Sequence, residues 1–469
     1  MVGSRLLRWI WILIWLSLLG FFCALWIFSV KDRLLTEDWI DKLADVGNLF
    51  GIIAIYLMVF MMSFGVRLPI IEKPFGLDSL IRFHKKFGPI VVFFVLVHVG
   101  LKVLKYSQLV GGRLEDVWDF VVQFYPYSWN LMDNALVIAR WTVLILLFAV
   151  LAAKAGQYFL PFKLWKPVHA MLYLVIPAAL LHSIAISRDI RVFPMTIGWA
   201  VLGISWVVLF GYRLSYIATR KAQCRWFLES VKEETHDTNT YTFVRHEGPG
   251  RFGNWLPGQF AIFRYDTGFL GWSEPHPFTL SSAPDEGKIS CTVKAVGSFT
   301  RNLRTVAPGT PFLCEGPYGV FTPNFKKDAH LICIAGGVGV TPFLSIIRHI
   351  AKKSLPVKVT LIWGNKSKAD IIAYEELSQL VKSSSWLTIV HVLSEQRITD
   401  ELLGEVKDDG FFWEEGFVRG VIFEKYITDL RGTQFFLCGP PPMQRFVLDE
   451  LKRTLKIPSR KVKREFFSF

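Results

Sequence analysis

The 469-residue chain is poor in cysteine, and none of its six cysteines forms a C-x2-C pair. This spacing argues against a zinc ribbon, a ferredoxin-type iron–sulfur cluster or a disulfide framework. Five of the six cysteines lie after residue 220, which favours a reducing compartment for that half. Nucleic-acid motifs and low-complexity tracts are also missing. The net charge of +14 is therefore attributed to segments that face anionic lipid, and no nucleic-acid partner is expected.

Long apolar runs are confined to residues up to about 217, and the remainder has the composition of a soluble α/β protein. Six runs have the roughly 20 apolar residues that a helix needs to cross a bilayer. The predicted spans are about 6–30, 47–66, 87–104, 135–153, 168–187 and 194–215. The first run is too long for the core of a signal peptide and lacks a small-residue cleavage site, so we expect it to be retained.

Lysine and arginine are more frequent in the loops on one side of these spans, for example Arg67, Arg82, Lys85 and Lys163. Positively charged loops stay in the cytoplasm. We therefore expect a multi-pass protein of the plasma membrane with both termini in the cytoplasm. In this topology the third and fifth helices run in the same direction.

Two predicted spans each contain a pair of histidines. His84 and His98 delimit HKKFGPIVVFFVLVH, and His169 and His182 delimit HAMLYLVIPAALLH. Ionisable residues are costly inside a bilayer and usually mark a functional site there. Two pairs of neutral imidazoles are what two bis-histidine haems require. The sequence predicts four metal ligands for two b-type haems, and packing or interfacial histidines are the alternative.

The spacing of the histidines predicts two levels in the membrane. From His84 to His98 a helix rises about 21 Å and the two side chains differ in direction by only about 40°. From His169 to His182 the rise is about 20 Å, but the direction differs by about 140°. Pro177 removes a backbone hydrogen bond between them, so we expect a local distortion that restores a common face. Because the two helices are parallel, His84 should pair with His169 and His98 with His182.

The segment of about residues 105–134, between spans three and four, is long and contains VWDFVVQFYPYSW. It is predicted either to fold back as a lid over the outer site or to form an interfacial aromatic belt.

The rest of the chain is predicted to form two domains behind a membrane domain of residues 1–220. Residues 221–325 contain short β-rich segments, many of them separated by Gly, Pro or Asp, which is typical of a small antiparallel barrel. Residues 326–469 alternate strands with helices, which predicts a parallel sheet that binds a nucleotide at its strand ends.

The predicted barrel contains HPFTLSSAP at 276–284 and, further on, a turn that leads into a short helix. Hydroxyls and extended backbone suit a flat polar ring with a ribityl chain, and free amides at a helix start beside a cation suit a pyrophosphate. A hydroxyl-rich β-turn is the alternative for either element alone. The candidate polar contacts are Thr279, Ser281, Ser282, Lys294, Gly297, Ser298 and Thr300.

In the last domain, GGVGVTP at 336–342 lies between a predicted strand and a predicted helix. Small residues let a phosphate approach the backbone at the start of that helix. Lys366 and Lys368 follow the next strand. They are predicted to pair with a 2′-phosphate, which favours NADPH over NADH, or else to be solvated loop residues.

Two further residues are candidates for the reacting centre. Cys438 ends a strand, in the sequence Cys438-Gly439-Pro440, where a nicotinamide would lie, although it is equally suited to be a small buried residue. Phe469 ends the chain and is free to stack on a flavin and to swing away when the nicotinamide arrives. A hydrophobic last strand is the alternative for the terminal aromatic residues.

These motifs together resemble a known family. The soluble half resembles the dehydrogenase module of ferredoxin–NADP reductase type. With six helices and two histidine pairs, the whole chain resembles the ferric reductase and NADPH oxidase superfamily, in its prokaryotic NADPH oxidase-like form. The motifs that carry the resemblance are HPFTLSSAP, the turn at 297–300, EGPYG at 315–319, AGGVGVTPF at 335–343, CGPPPM at 438–443 and the terminal Phe.

The resemblance implies a role for each matching residue. FAD would contact the barrel motif, its diphosphate would lie on the turn at 297–300, and the nicotinamide nucleotide would lie on the two glycine turns of the last domain. The implied FAD contacts are His276, Pro277, Phe278 and Thr279, with Ser281 and Ser282 beside them. The implied nucleotide contacts are Gly337, Gly339, Thr341, Pro342, Cys438, Gly439 and Pro440, and the implied axial ligands are His84, His98, His169 and His182.

The resemblance implies electron transfer from cytosolic NAD(P)H through FAD and two haems to a small molecule on the outer face. The long 105–134 segment favours dioxygen, giving superoxide, over a ferric chelate. A flavin reductase that is merely anchored in the membrane and serves a cytosolic partner is the alternative of another class. The chain departs from the animal phagocyte-type oxidases at Lys102, four residues after His98, where those proteins tend to carry a further histidine.

Overall fold

A computed structural model describes residues 2–126, 128, 134–159, 162–187, 189–223, 225–245, 255–268, 271–284, 286–326, 329–400, 402 and 410–465. The chain divides into two compact units, Met1–Ala218 and Thr219–Phe469. Each unit is described by itself.

The first unit is built of helices. They are α1 (Val2–Thr36), α2 (Trp39–Gly65), α3 (Pro69–Phe75), α4 (Leu77–Leu109), α5 (Leu114–Val122), α6 (Ala135–Phe159), α7 (Phe162–Ala170), α8 (Leu172–Ile186) and α9 (Met195–Gln223). Among the described residues, six segments are long and apolar enough to cross a membrane, which confirms the predicted number of spans. They are Leu6–Thr36, Trp39–Gly65, Leu77–Leu109, Ala135–Gly156, Leu164–Ile186 and Met195–Thr219.

The helices of this unit expose large apolar side chains on their outer surfaces, including Trp9, Phe93, Phe148 and Val208. Such a surface is unfavourable in water but suits lipid, where a helix satisfies its own backbone.

The fifth span is interrupted where the chain passes from α7 to α8. The backbone N–H of Met171 donates to the carbonyl of Val168, and that of Leu174 donates to Met171, so the turn is tightened to a three-residue step. Pro177 leaves the carbonyl of Tyr173 without its helical donor. The indole N–H of Trp206 supplies the missing hydrogen bond at 3.0 Å. The distortion predicted at Pro177 is therefore joined by a second one at Met171.

The first part of the second unit is an antiparallel sheet in the order β4-β3-β6-β1-β2-β5. An additional bridge between Leu280 and Cys291 joins the segment after β4 to β5 and curls the sheet towards a barrel. Large apolar side chains fill its interior, among them Tyr241, Phe243 and Phe263. Its elements are β1 (Arg225–Thr235), β2 (Thr238–Val244), β3 (Phe260–Tyr265), β4 (His276–Thr279), β5 (Ile289–Lys294), α10 (Ser298–Leu303) and β6 (Pro311–Tyr318).

The remainder is a parallel sheet in the order β10-β9-β8-β7-β11-β12 with helices between the strands. Its strand order reverses between β7 and β11, and a ligand of such a sheet binds at the carboxyl ends of the strands on either side of that reversal. The elements are β7 (His330–Gly336), α11 (Thr341–Lys353), β8 (Lys358–Asn365), α12 (Tyr374–Lys382), β9 (Leu387–Leu393), β10 (Phe411–Glu415), α13 (Gly420–Tyr426), β11 (Thr433–Cys438), α14 (Pro441–Thr454) and β12 (Val462–Glu465).

Candidate functional site

The inner histidines lie side by side. The ring centroids of His84 on α4 and His169 on α7 are 5.9 Å apart, and the ring planes are nearly perpendicular at 80°. Two metal–imidazole bonds of about 2 Å, together with the radii of both rings, span about 6 Å. The separation of the inner rings therefore fits one shared metal ion.

The outer histidines are oriented by the backbone of neighbouring helices. Nδ1 of His98 lies 2.7 Å from the carbonyl oxygen of Gly47 on α2, and Nδ1 of His182 lies 3.2 Å from that of Ala135 on α6. A carbonyl only accepts, so each Nδ1 carries the hydrogen and each Nε2 keeps its lone pair. This tautomer is the one that binds a metal through Nε2.

The inner rings repeat this arrangement with looser contacts. The carbonyls of Met61 on α2 and Ala149 on α6 face His84 and His169, although neither Nδ1 completes a hydrogen bond of normal geometry within the described residues. Each accepting carbonyl is 14 positions from its outer counterpart on the same helix. Thus α2 presents one carbonyl to each histidine of α4, and α6 presents one to His169 and one to His182, but only the outer two contacts are complete hydrogen bonds.

His98 and His182 line one cavity of about 650 Å³, which is within the size range of cofactor pockets. Helix α2 makes room for His98 at Gly51, since a Cβ there would lie 2.9 Å from Nδ1 of the ring. Sequence reasoning missed this contact. A glycine pair four residues apart, Gly47 and Gly51, was the available signal.

Charged groups that line the cavity are bonded to one another. Arg33 donates to Asp189 and lies 3.2 Å from Asp45, and Asn48 donates to Asp189 at 2.9 Å. Lys102 donates to the carbonyl of Ala44 at 2.9 Å. The lining therefore combines both signs of charge and is not a purely cationic bowl.

The segment after α4 folds over the same cavity. Phe120, Val121 and Phe124 contribute to its lining, and the ring of Phe120 stacks on Tyr106 at 4.0 Å. Arg140 on α6 donates to the carbonyl of Gln123 at 2.9 Å and fastens this segment. The contacts favour the lid over the interfacial belt.

In the second unit, two glycine turns meet at the strand-order reversal. A Cβ on Gly339 would lie 2.5 Å from the carbonyl oxygen of Cys438, and one on Gly439 would lie 3.1 Å from the backbone nitrogen of Gly336. Gly337 adopts φ 52°, and the space beside it is open. The packed turns thus leave a backbone edge that a phosphate can approach.

The barrel motif forms an aromatic row. The ring of His276 stacks on Phe299 with 3.7 Å between centroids, and Phe278 lies beside both. Burial lowers the pKa of His276 to about 4, so the ring is neutral. Its Nε2 is buried and makes no hydrogen bond within the described part of the chain.

Two family models match the chain. Residues 50–180 match the ferric reductase like transmembrane component, and residues 333–449 match the oxidoreductase NAD-binding domain. The first match contains His84, His98 and His169 and ends before His182. The second match contains both glycine turns.

The chain belongs to the ferric reductase and NADPH oxidase superfamily.

Three curated relatives are similar to this superfamily member. Sulfhydrogenase 2 subunit gamma of Pyrococcus furiosus is 31% identical over 233 residues, which cover 47% of this chain and 75% of the relative. NADH-cytochrome b5 reductase 2 of Mycosarcoma maydis is 29% identical over 225 residues, covering 46% and 61%. Dual oxidase 2 of Rattus norvegicus is 27% identical over 266 residues, covering 52% and 16%. The matched part thus spans three quarters or less of each relative.

This chain is a multi-pass transmembrane oxidoreductase that depends on NAD(P)H. It binds FAD and NAD(P)H. Its predicted fold class, a six-helix membrane domain followed by an antiparallel barrel and an α/β nucleotide-binding domain, is confirmed.

Two predicted flavin contacts of this reductase need correction. The hydroxyl of Ser282 accepts the backbone N–H of Ser290 at 2.9 Å, and that of Ser281 accepts the hydroxyl of Thr292 at 3.0 Å. Both serines are buried, with 2% and 0% of their surface exposed. Their hydroxyls therefore hold the motif against β5 and are not available to a cofactor.

The predicted cations are also engaged. Lys294 forms an ion pair with Asp237 at 2.9 Å, and the exposed Lys366 forms one with Glu395 at 3.0 Å. A phosphate would have to compete with a carboxylate for either lysine. The structure therefore lends no support to Lys366 as a reason to prefer NADPH.

Of the two candidates for the reacting centre, Cys438 lies among the described residues. Cys438 is fully buried. Burial, with the nearby carboxylate of Glu465, raises the pKa of its thiol well above the usual range. The thiol is therefore protonated at neutral pH, and a role of Cys438 beside the nicotinamide stays a prediction. Phe469 lies outside the described residues.

The other predicted contacts lie at the starts of helices or in strand β4. Thr341 and Pro342 begin α11 directly after the glycine turn, and Pro440 precedes α14. Ser298 begins α10, while the hydroxyl of Thr300 accepts the N–H groups of Val296 and Gly297 at 3.0 Å and closes the turn. Pro277 and Thr279 belong to β4.

Proposed function

We propose that this protein moves electrons from cytosolic NAD(P)H, by way of FAD and two b-type haems, to dioxygen on the outer face of the plasma membrane, giving superoxide. In this proposal both termini are cytoplasmic, as the distribution of Lys and Arg predicts.

The observation that carries the proposal is the double arrangement of the four histidines. His84 lies beside His169, and His98 shares a cavity with His182. Each outer histidine has its Nδ1 directed at a carbonyl of a neighbouring helix. A histidine that only fills space in an apolar core has no need of a partner histidine at each level. The donor set is that of two six-coordinate haems.

His84 with His169, and His98 with His182, would hold two haems, and each bound haem would supply a one-electron carrier. The chain's own residues have three tasks. The carbonyls of Gly47 and Ala135 hold the outer imidazoles in the ligating tautomer. The apolar lining excludes water, and the bonded charges around Arg33 and Asp189 define the outer end of the cavity.

The soluble unit provides the other half of the path. The glycine turns at Gly337 and Gly439 offer backbone to a nicotinamide nucleotide, and the row of His276, Phe278 and Phe299 offers flat rings to a flavin. A bound FAD would supply the chemistry that links a two-electron hydride donor to one-electron carriers.

The choice of dioxygen rests on the lid. The segment with Phe120 and Phe124 lines the cavity that contains His98 and His182, and Arg33 in the same lining is paired with Asp189 and Asp45. A small neutral molecule reaches such a site more easily than a bulky charged chelate. The ferric-chelate reductase is the second candidate, and it is favoured only by the cations Lys102 and Arg140 among the lining residues.

The test uses purified full-length protein in detergent. NADPH is added without air while the visible spectrum is recorded, and air is then admitted. We expect the flavin to be reduced first and the haem b bands to appear next, followed by reoxidation with superoxide that superoxide dismutase removes. Reduction of a ferric chelate without oxygen uptake would favour the second candidate. A protein with reducible flavin but no haem bands would be the anchored flavin reductase.

A further inference from the structure

Arg348 connects the nucleotide-binding domain to the flavin motif. It lies on α11, two turns after the glycine turn, and most of the surrounding helix is buried. Nη1 of Arg348 donates to the backbone carbonyl of Ser281 at 2.6 Å. Ser281 belongs to the HPFTLSS segment of the barrel, two residues after Thr279. A side chain of the nucleotide-binding domain thus bonds directly to the backbone of the flavin motif.

The guanidinium of Arg348 is held by α12. Its Nε and Nη2 donate to the two carboxylate oxygens of Glu376 at 2.7 and 2.6 Å. Such a two-point contact fixes the plane of the guanidinium as well as its position. Burial raises the pKa of Glu376, but the hydrogen bonds and charge of Arg348 outweigh it and lower the pKa. The carboxylate is therefore charged at neutral pH.

The segment that receives this bond is fixed on its other side too. The backbone N–H of Ser281 donates to the carbonyl of Ser290 on β5 at 2.7 Å, and its hydroxyl is bonded to Thr292. Ser281 is consequently held between the barrel sheet and Arg348. A shift of the guanidinium would move the flavin motif relative to the glycine turn or would break the bond.

A second, weaker connection lies nearby. The backbone N–H of Ala373, at the start of α12, donates to Glu234 of β1 at 3.3 Å, and Glu234 also accepts from Thr240 at 2.9 Å. Both connections converge on α12, so this helix and α11 together carry the contact between the two domains on this side.

We propose that Arg348, held by Glu376, is a positioning residue that sets the flavin against the nicotinamide for hydride transfer. Hydride transfer needs the reacting atoms about 3–3.5 Å apart, and a misplacement of about 1 Å can slow a reaction about 100-fold. Arg348 touches neither reactant through the bonds described. It acts through the carbonyl of Ser281. The inference rests on the NAD(P)H and FAD half-reaction and not on the haems.

The experiment compares Arg348→Lys, Arg348→Ala and Glu376→Gln in the full-length protein. Lysine keeps the charge but lacks the planar fork that contacts Glu376 and Ser281 together. Glu376→Gln keeps the shape of the side chain but loses its charge. Flavin reduction by NADPH is followed without air in a stopped-flow instrument. We expect about a 10-fold slower reduction at saturating NADPH for Arg348→Lys and Glu376→Gln, and about 100-fold for Arg348→Ala, with less than about a twofold change in KM.

Three measurements separate positioning from folding. The content of bound FAD and the thermal midpoint should stay near those of the wild type in Arg348→Lys and Glu376→Gln, while the circular dichroism of the bound flavin should change. Arg431→Lys is the matched control, because Arg431 makes the same two-point contact with Asp429 on an exposed surface. It should leave the rate, the KM and the flavin spectrum unchanged.

The proposal is overturned if Arg348→Lys and Glu376→Gln reduce flavin at the wild-type rate. It is also overturned if both lose FAD or unfold, because Arg348 would then serve stability alone. Wild-type protein whose flavin is reduced while no haem is reduced would contradict the transmembrane path and leave this inference standing.

Discussion

The membrane unit and the soluble unit position their functional groups by opposite means. In the membrane unit, side chains carry the chemistry and backbone orients them: His98 and His182 point their Nδ1 atoms at carbonyls of α2 and α6. In the soluble unit, backbone carries the binding edge and side chains orient it: Trp363 donates to the carbonyl of Gly337, and Arg348 donates to that of Ser281.

This difference has a physical origin. A helix in lipid has used its own N–H and C=O groups, so it can offer a ligand little besides side chains. A strand end in water has unused backbone groups, which a phosphate can bind. We therefore expect substitutions at a few side chains to abolish function in the membrane unit, whereas in the soluble unit they should shift rates and affinities by moderate factors.

The largest effect should follow the loss of an outer histidine. His182→Leu removes one of the proposed haem ligands and leaves a side chain of similar size. Loss of even an outer-shell partner of a metal ligand costs about 10- to 100-fold, so the loss of the ligand itself should lower superoxide formation at least about 100-fold. The measurements are the haem content of the purified protein and its oxygen consumption with NADPH.

Flavin reduction by NADPH should be unchanged in His182→Leu, since the predicted flavin and nucleotide contacts all lie in the soluble unit. His391→Leu is the control substitution, because it removes a histidine from the soluble unit and should leave the haem content intact. Full haem content in His182→Leu would mean that this residue is a packing histidine, and the contrast between the units would fail.

The contact between His98 and the backbone of α2 can be tested at Gly51. A Cβ at this position would lie 2.9 Å from Nδ1 of the ring, so Gly51→Ala must push the imidazole from its place. Overpacking of this kind costs about 1–3 kcal/mol, and we expect the upper part of that range because the ring is also held by Gly47. The expected result is a marked loss of haem on dilution of the purified protein.

Gly100→Ala on α4 is the matched control, since a Cβ at Gly100 meets nothing within 4 Å. Equal haem retention in both variants would show that α2 does not set the position of His98.

The sequence was informative where a single element determines the geometry. Helical rise, together with the helix directions that the Lys and Arg distribution predicts, grouped His84 with His169 and His98 with His182, which share a ring contact and a cavity respectively. The alternation of strands and helices was enough to place the glycine turns at one sheet edge. These inferences need no knowledge of neighbouring elements.

Contacts between elements were not predictable in the same way. The hydroxyls of Ser281 and Ser282 were expected to face a cofactor, but β5 lies behind them and takes both. Lys294 was expected to contact a phosphate, but it forms an ion pair with Asp237 in the turn before β2. The break at Met171 depends on packing around the fifth span. Each outcome depends on which residue lies opposite, and that is a property of the assembled sheet or bundle.

A third prediction concerns pH and the core of the soluble unit. His391 is fully buried among the rings of Trp363, Phe411 and Trp413, and neither ring nitrogen makes a hydrogen bond within the described residues. Burial lowers its pKa from 6.5 to about 3. The unfolded chain therefore takes up a proton below pH 6.5 while the folded domain does not. The contribution of neutral His391 to the free energy of unfolding is fully present above that pH and is lost as the pH falls towards 3.

At about pH 5 this difference amounts to about 2 kcal/mol of unfolding free energy. His391→Leu removes the titrating group, so the loss between about pH 8 and pH 5 should be smaller by that amount. Urea unfolding at both pH values measures it, and the comparison across pH cancels any packing cost of the leucine. An unchanged pH dependence would mean that the folded domain can protonate this ring.

The smallest expected effect concerns the glycine turn at Gly337, whose backbone is predicted to bind the nucleotide. Trp363 is fully buried, and its Nε1 donates to the carbonyl of Gly337 at 3.0 Å, which holds the glycine turn in its open form. Trp363→Phe keeps an aromatic ring but leaves that carbonyl without its donor. An unmade buried hydrogen bond costs about 1–1.5 kcal/mol, which corresponds to about a 5- to 10-fold weaker binding of the nucleotide. Titration with NADP+ and the KM for NADPH measure it.

Trp413→Phe distinguishes the hydrogen bond from the loss of an indole. Trp413 belongs to the same aromatic cluster, is 8% exposed, and its Nε1 makes no hydrogen bond in the part of the chain that is described. Both substitutions remove the same atoms from the same core, so packing losses should be similar. Only Trp363→Phe should weaken nucleotide binding. If both variants bind equally well, backbone at the strand ends does not depend on side-chain support, and the soluble unit positions its ligand by backbone alone.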